Sequence, residues 1–158
     1  MASKFDPAAN RDPEQNSHSE FPTPNSANSP LLGRTKKFAL RTIRLVESLP
    51  NNRTADVIGK QLLRSATSVG ANYRAACRAR SSAEFRAKLG IVEEESDETI
   101  YWMELLVESG MVKAELLSGL IQEANEITAM TVASIRTARQ RETRNAKRRT
   151  SSKNGGEK

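Results

Sequence analysis

Histidine, cysteine and late proline are what this 158-residue sequence has least of. Its one histidine, His18, lies in a leader rich in Pro, Ser and Asn, so no imidazole stands in the rest of the chain to activate a serine or cysteine nucleophile. The Glu-x-x-His pairs with which helical bundles hold two metals are excluded for the same reason, and no Gly-rich phosphate loop occurs, so no metal or other cofactor and no enzyme activity are expected. A single cysteine, Cys77, rules out an intrachain disulfide, as suits a reducing cytosol, and it reads as a small core or interface residue rather than a nucleophile. The sequon Asn52-Arg53-Thr54 is then chemically idle. No apolar run approaches the roughly 18 residues that span a bilayer, and the leader lacks the charged start and apolar stretch of a signal peptide. The expectation is a soluble, cytoplasmic protein with no membrane partner.

All six prolines lie at or before Pro50, which leaves everything from Asn51 onward free to be helical. Residues 1–34 hold five of them, and their apolar residues follow no period, so this part reads as a disordered tail. Residues 35–138 contain 48 apolar residues of 104, a globular proportion that fits one domain. Residues 139–158 form a basic tail. The net charge of +6 is distributed accordingly: −1 in the leader, +1 in residues 35–138, and +6 in the last twenty, where eight basic residues face two acidic ones.

What the chain does have is helical periodicity. A first helix over about Thr35 to Leu49 turns Phe38, Leu45, Val46 and Leu49 inward and stops at Pro50. A second, from a Thr54 cap to about Arg80, repeats apolar residues at Ile58, Leu62, Ala66, Val69, Tyr73 and Ala76. Its small-residue run Ser65–Ala71 suits close approach by a neighbouring helix or subunit. Ser81 with Glu84 matches a capping box opening a third helix, which carries Phe85, Leu89, Val92, Thr99, Met103 and Leu106 on a seven-residue repeat broken by Ser96 and ends near Ser109 with Gly110 as its cap. A fourth helix from Lys113 to Arg139 buries Leu116, Leu117, Leu120, Ile121, Ala124, Ile127 and Ile135, and has no clear stop signal. Short connections make neighbours antiparallel, so the expected fold is all-α, an antiparallel up-down four-helix bundle.

The words Ser48-Leu49-Pro50, Gln61 to Arg74 (QLLRSATSVGANYR), Arg78-Ala79-Arg80-Ser81, Glu98-Thr99 and Tyr101 to Leu106 (YWMELL) resemble the small bundle family first found encoded in intervening sequences of bacterial 23S rRNA genes. The resemblance covers Phe38 to Arg136. It implies a ring-like homopentamer without established catalytic activity and with a suspected nucleic-acid connection. A related branch is similar to the accessory proteins that partner reverse transcriptases in diversity-generating retroelements. Gly90, Glu93, Glu94 and both tails depart from the family pattern.

Two surfaces follow as candidates. Residues 53–80 carry six basic side chains against one acidic, and residues 81–110 carry two basic against eight acidic. Antiparallel packing of these helices lets Glu95 and Glu98 form structural ion pairs with Arg64, Arg74 or Arg78. The rest of the acidic run reads as a solvated face. Arg64, Arg74, Arg78 and Arg80 could instead contact phosphate, as could the tail residues Arg144, Lys147, Arg148 and Arg149; no aromatic follows Arg136, so such binding should be sequence-tolerant. Tyr101 and Trp102 point about 100° apart on a helix and cannot both enter one seam. With Leu105 they are the expected oligomer interface. The expected function is a non-catalytic oligomeric scaffold that binds RNA, DNA or a nucleic-acid-processing partner. Its rival is a protein-binding adaptor, such as a reverse-transcriptase accessory protein, whose core touches no nucleic acid.

Overall fold

The computed structural model of the chain describes residues 29–154, which form four helices and no strand: α1 (Pro30–Glu47), α2 (Arg53–Ala76), α3 (Ser82–Glu108) and α4 (Ala114–Asn154). His18 and the leader as far as residue 28 lie outside the described residues.

Each boundary has a local cause. Helix α1 begins at Pro30, five residues earlier than its apolar pattern suggested, because proline at the first helical position loses no hydrogen bond and has its φ already set. Residues 30–34 are therefore helix rather than tail, and the buried stripe runs Leu31, Thr35, Phe38, Thr42. Asn52, not Thr54, caps α2: its side-chain oxygen accepts from the Ala55 amide at 2.9 Å, and Thr54 sits inside the first turn. Helix α2 stops at Ala76, so Cys77 to Ser81 form a true connection, and Arg78 and Arg80 belong to it rather than to the helix.

At the start of α3 the Ser81 hydroxyl accepts from the Glu84 amide at 3.1 Å, while the Glu84 carboxylate reaches back to the Arg80 amide at 2.8 Å. At its end Gly110 takes a φ of +73°; its amide donates to Val107 at 2.9 Å and the Met111 amide to Leu106 at 3.0 Å. This is the paired closure that terminates a helix on a left-handed residue, and glycine adopts it without strain. Helix α4 runs on through Asn154, well past the expected Arg139, since no glycine or proline intervenes before Gly155 and most residues from Gln140 to Arg149 are good helix formers.

Contacts join α1 to α2, α2 to α3, α3 to α4 and, least extensively, α1 to α4; none joins the diagonals among the described residues. The helices thus go round the bundle in chain order, up and down alternately. The centre is filled by Phe38, Leu62, Val69, Leu89, Val92, Met103, Leu106, Leu117 and Ile127, all essentially inaccessible. Leu116, expected inside, is 73% exposed. The α4 seam runs Leu117, Leu120, Ala124, Ile127, Thr131, Ile135, Ala138, and Leu116 stands about 100° off it. Between α2 and α3 the Thr99 hydroxyl donates to the Ser65 oxygen at 2.9 Å. Ser96, at its core-type position, is fully buried, and its hydroxyl has no hydrogen-bond partner.

Candidate nucleic-acid interface

Chain direction decides which basic residues meet. With α1 rising, α2 falling, α3 rising and α4 falling, one end of the bundle collects the start of α1, the α2–α3 connection and the far part of α4. Two contacts fix this end. The hydroxyls of Ser29 and Tyr73 share a hydrogen bond of 2.8 Å. Arg86, in the second turn of α3, pairs with Glu142 of α4, and the Ser82 hydroxyl joins them; together they pull the Glu142 carboxyl below its ordinary range.

Arg74 in the last turn of α2, and Arg78 and Arg80 in the connection, are exposed here, and none forms an ion pair among the described residues. Arg144, Lys147, Arg148 and Arg149 extend from the same end, exposed, on the part of α4 beyond Glu142. The two groups that the sequence places seventy residues apart thus occupy one pole. Arg74 also has a plain structural use, since a cation in the last turn complements the helix dipole.

Arg64 stands apart from that pole. Of the three arginines offered as partners, it takes both glutamates: one guanidinium nitrogen bonds Glu98 and another lies 3.5 Å from Glu95. Gln61 accepts from its Nε at 3.2 Å. Glu98 also accepts from the Trp102 indole at 3.0 Å, and these two donors, the arginine first, hold its carboxyl below the ordinary range. Arg64 is thereby committed inside the chain, which makes it a weaker phosphate ligand than Arg74, Arg78 or Arg80.

Trp102 is half-buried against the core, whereas Tyr101, edge-on to it at 5.1 Å, is 52% exposed. Leu105, one turn further along, is half-buried. In the small-residue run, Ser65, Ala66 and Val69 face inward, and Gly70 faces α1, where a Cβ would lie 3.5 Å from the Thr35 carbonyl oxygen. Thr67 and Ala71 instead line an open groove of about 750 Å³ with Gly33, Lys36 and Ala39. Cys77 is buried beside Tyr73, and burial pushes its thiol pKa up, which disfavours the reactive thiolate. The described residues contain no cluster of three or more metal-ligating side chains, and no helix long and apolar enough to cross a membrane.

The sequence model of the 23S rRNA-intervening sequence proteins matches residues 30–133. The chain belongs to that family. A crystal structure of a family relative, a protein of unknown function from the S23 ribosomal protein family of Bacteroides thetaiotaomicron, is 36% identical over 66% of this chain and 97% of its own, with a TM-score of 0.63. No curated protein matches the chain significantly. Within the 23S rRNA-intervening sequence family, the matched region takes in Arg64, Arg74, Arg78 and Arg80 but ends before Arg144 to Arg149. The family bundle therefore supplies half of the basic pole, and the extension of α4 supplies the other half.

Two charged contacts between helices are not foreshadowed by the sequence pattern. Arg34 lies in the stretch whose composition reads as tail, yet it grips α4: its Nε and Nη2 reach the two Glu123 oxygens at 2.8 and 3.0 Å, and Nη2 reaches Glu126 at 2.6 Å. Ser29-Pro30, a cap-like residue followed by proline, was the available signal. Arg86 with Glu142 left no comparable trace.

Proposed function

We propose that this chain is a non-catalytic nucleic-acid-binding bundle of the cytoplasm, and that its basic pole is the binding surface. The observation that carries the reading is the convergence of Arg74, Arg78 and Arg80 with Arg144, Lys147, Arg148 and Arg149 at one end of the molecule. Clustered cations displace counterions from a phosphate backbone, so affinity there falls steeply with salt. Fluorescence anisotropy with labelled RNA and DNA at several salt concentrations tests this. Arg78→Ala/Arg80→Ala and Arg144→Ala/Arg148→Ala should each weaken binding and flatten its salt dependence, while Arg64→Ala, already paired to Glu98, should change binding little. Absence of binding up to about 100 µM protein, the weak limit of non-specific association, would defeat the proposal and favour a protein adaptor.

A second reading concerns assembly. Exposed Tyr101 with half-buried Trp102 and Leu105 gives α3 an apolar arc that self-association would cover, and the family resemblance suggests five copies. Assembly would repeat the basic pole and strengthen weak phosphate contacts by avidity. Sedimentation should show a smaller species for Tyr101→Ala; an unchanged oligomer would remove α3 as the interface.

A further inference from the structure

Resting on the nucleic-acid reading, we infer that the ligand is duplex DNA and that the far end of α4 is a major-groove helix. The extension leaves the bundle at Glu142, where Arg86 and Ser82 hold it, and continues helically to Asn154. Twelve residues at 1.5 Å each project about 18 Å, three turns and more.

Its composition narrows what it can touch. From Thr143 to Asn154 there is no acidic residue, and Ala146 is the sole aliphatic. A helix that docks in a protein groove needs an apolar stripe, and one that lies on a membrane needs large apolar residues on one face. This helix has neither. The change occurs along a single line: the seam Ile127, Thr131, Ile135, Ala138 continues at the same spacing through Glu142, Asn145 and Arg149. Inward-facing positions turn from apolar to polar where the bundle ends.

Helical geometry then sorts the cations. At about 100° per residue, Arg141, Arg144, Lys147 and Arg148 share an arc of about 120°, and Arg149 stands about 100° beyond Arg148, with Asn145 between those two. Positive charge thus spans about 200° of the helix, from Lys147 to Arg149, with Asn145 inside that arc and Arg149 at its edge on the line that continues the seam. That is the arrangement a helix needs inside a major groove, whose walls are two phosphate strands and whose floor presents base edges. The B-form groove, about 12 Å wide, admits a helix, whereas the A-form groove of duplex RNA is too narrow and deep. Arg78 and Arg80, beside Ser82 at the foot of the extension, face the phosphates that flank the groove.

The experiment uses the full-length chain with 20-base-pair DNA and RNA duplexes of one mixed sequence and with the single strands. DNA duplex should bind at least tenfold more tightly than RNA duplex, and dimethyl sulfate should be blocked at guanine N7, an atom on the major-groove floor. Ala146→Pro, which keeps every charge but breaks the helix outside the core, should abolish both the preference and the protection. Retention of both would show that a basic tail of any shape suffices, and would overturn the inference. Equal or tighter binding of RNA would overturn it too, while leaving the nucleic-acid reading intact. Failure to bind any of the four probes would defeat both.

Discussion

Replacing Ser96 with alanine should make the bundle more stable. Its side chain is fully buried at a seam position of α3, and its hydroxyl has no hydrogen-bond partner. A desolvated, unpaired hydroxyl costs about 1 kcal/mol at the low end of the usual range, and alanine adds about 0.5 kcal/mol in helix propensity. The void left by one oxygen, at about 24 cal/mol per Å³, takes back a few tenths. The net gain is about 1 kcal/mol, or about 3 °C in Tm for a domain of this size. Ser65 is the internal contrast. It is as deeply buried, but its oxygen accepts from the Thr99 hydroxyl at 2.9 Å and its O–H donates to the Leu62 carbonyl at 3.3 Å, so Ser65→Ala should lose about 1 kcal/mol. Urea titrations followed by circular dichroism measure both, and the urea m-value should not change. If Ser96→Ala were destabilising by more than about 0.5 kcal/mol, the hydroxyl would have a partner and the reasoning would be wrong.

Two glycines should respond in opposite directions: Gly90→Ala, inside α3 with nothing within 4 Å of the added carbon, should gain about 1 kcal/mol, and Gly110→Ala, forced to a φ of +73°, should lose about 1 kcal/mol in the same melts. Arg34→Ala removes the clamp between α1 and α4; a third of the arginine is exposed, so solvent screening limits the loss to about 1 kcal/mol, and unfolding at 1 M salt should show the difference shrinking. Glu98 has its carboxyl pKa lowered by Arg64 and Trp102, so its contribution to stability is complete above the ordinary value of 4.5 and is lost as pH falls through the lowered one. Arg64→Ala should therefore flatten the stability profile below pH 4.5; an unchanged acid limb would mean the pair contributes nothing.

Four helices, the Ser81–Glu84 cap and the pairing of Glu95 and Glu98 with an arginine of the preceding basic stretch, though not which one, were legible because each is written in spacing: three or four residues along a helix, or two antiparallel seams set side by side. The ends of α1 and α4 were not. Pro30 is as much a loop residue as a helix starter until its neighbours are known. The apolar seam of α4 expires at Ala138 while intrinsic propensity carries the helix further, so periodicity marks the packed part and not the whole element. Arg34 with Glu123, 89 positions apart, and Arg86 with Glu142 depend on which helix ends face each other, and no local pattern records that. Leu116 shows the limit of residue type as a guide: beside Leu117 it has the same chemistry and lies one hundred degrees from the seam.

The sparse boundary between α1 and α4 makes the bundle unequal in time as well as in space. Helices α2 and α3 are each gripped by two neighbours along their length, whereas α1 leans on α2 and is tied to α4 chiefly by one arginine. Amide protons in the middle of α2 and α3 can meet solvent only when the whole domain unfolds, but those of α1 need only its seam with α2 and its thin contact with α4 to part. In deuterated water, among the packed parts of the helices, α1 should label first, as a unit. The molecule then behaves as a stable three-helix body with one detachable stave, and the core that α1 covers is what any opening would expose.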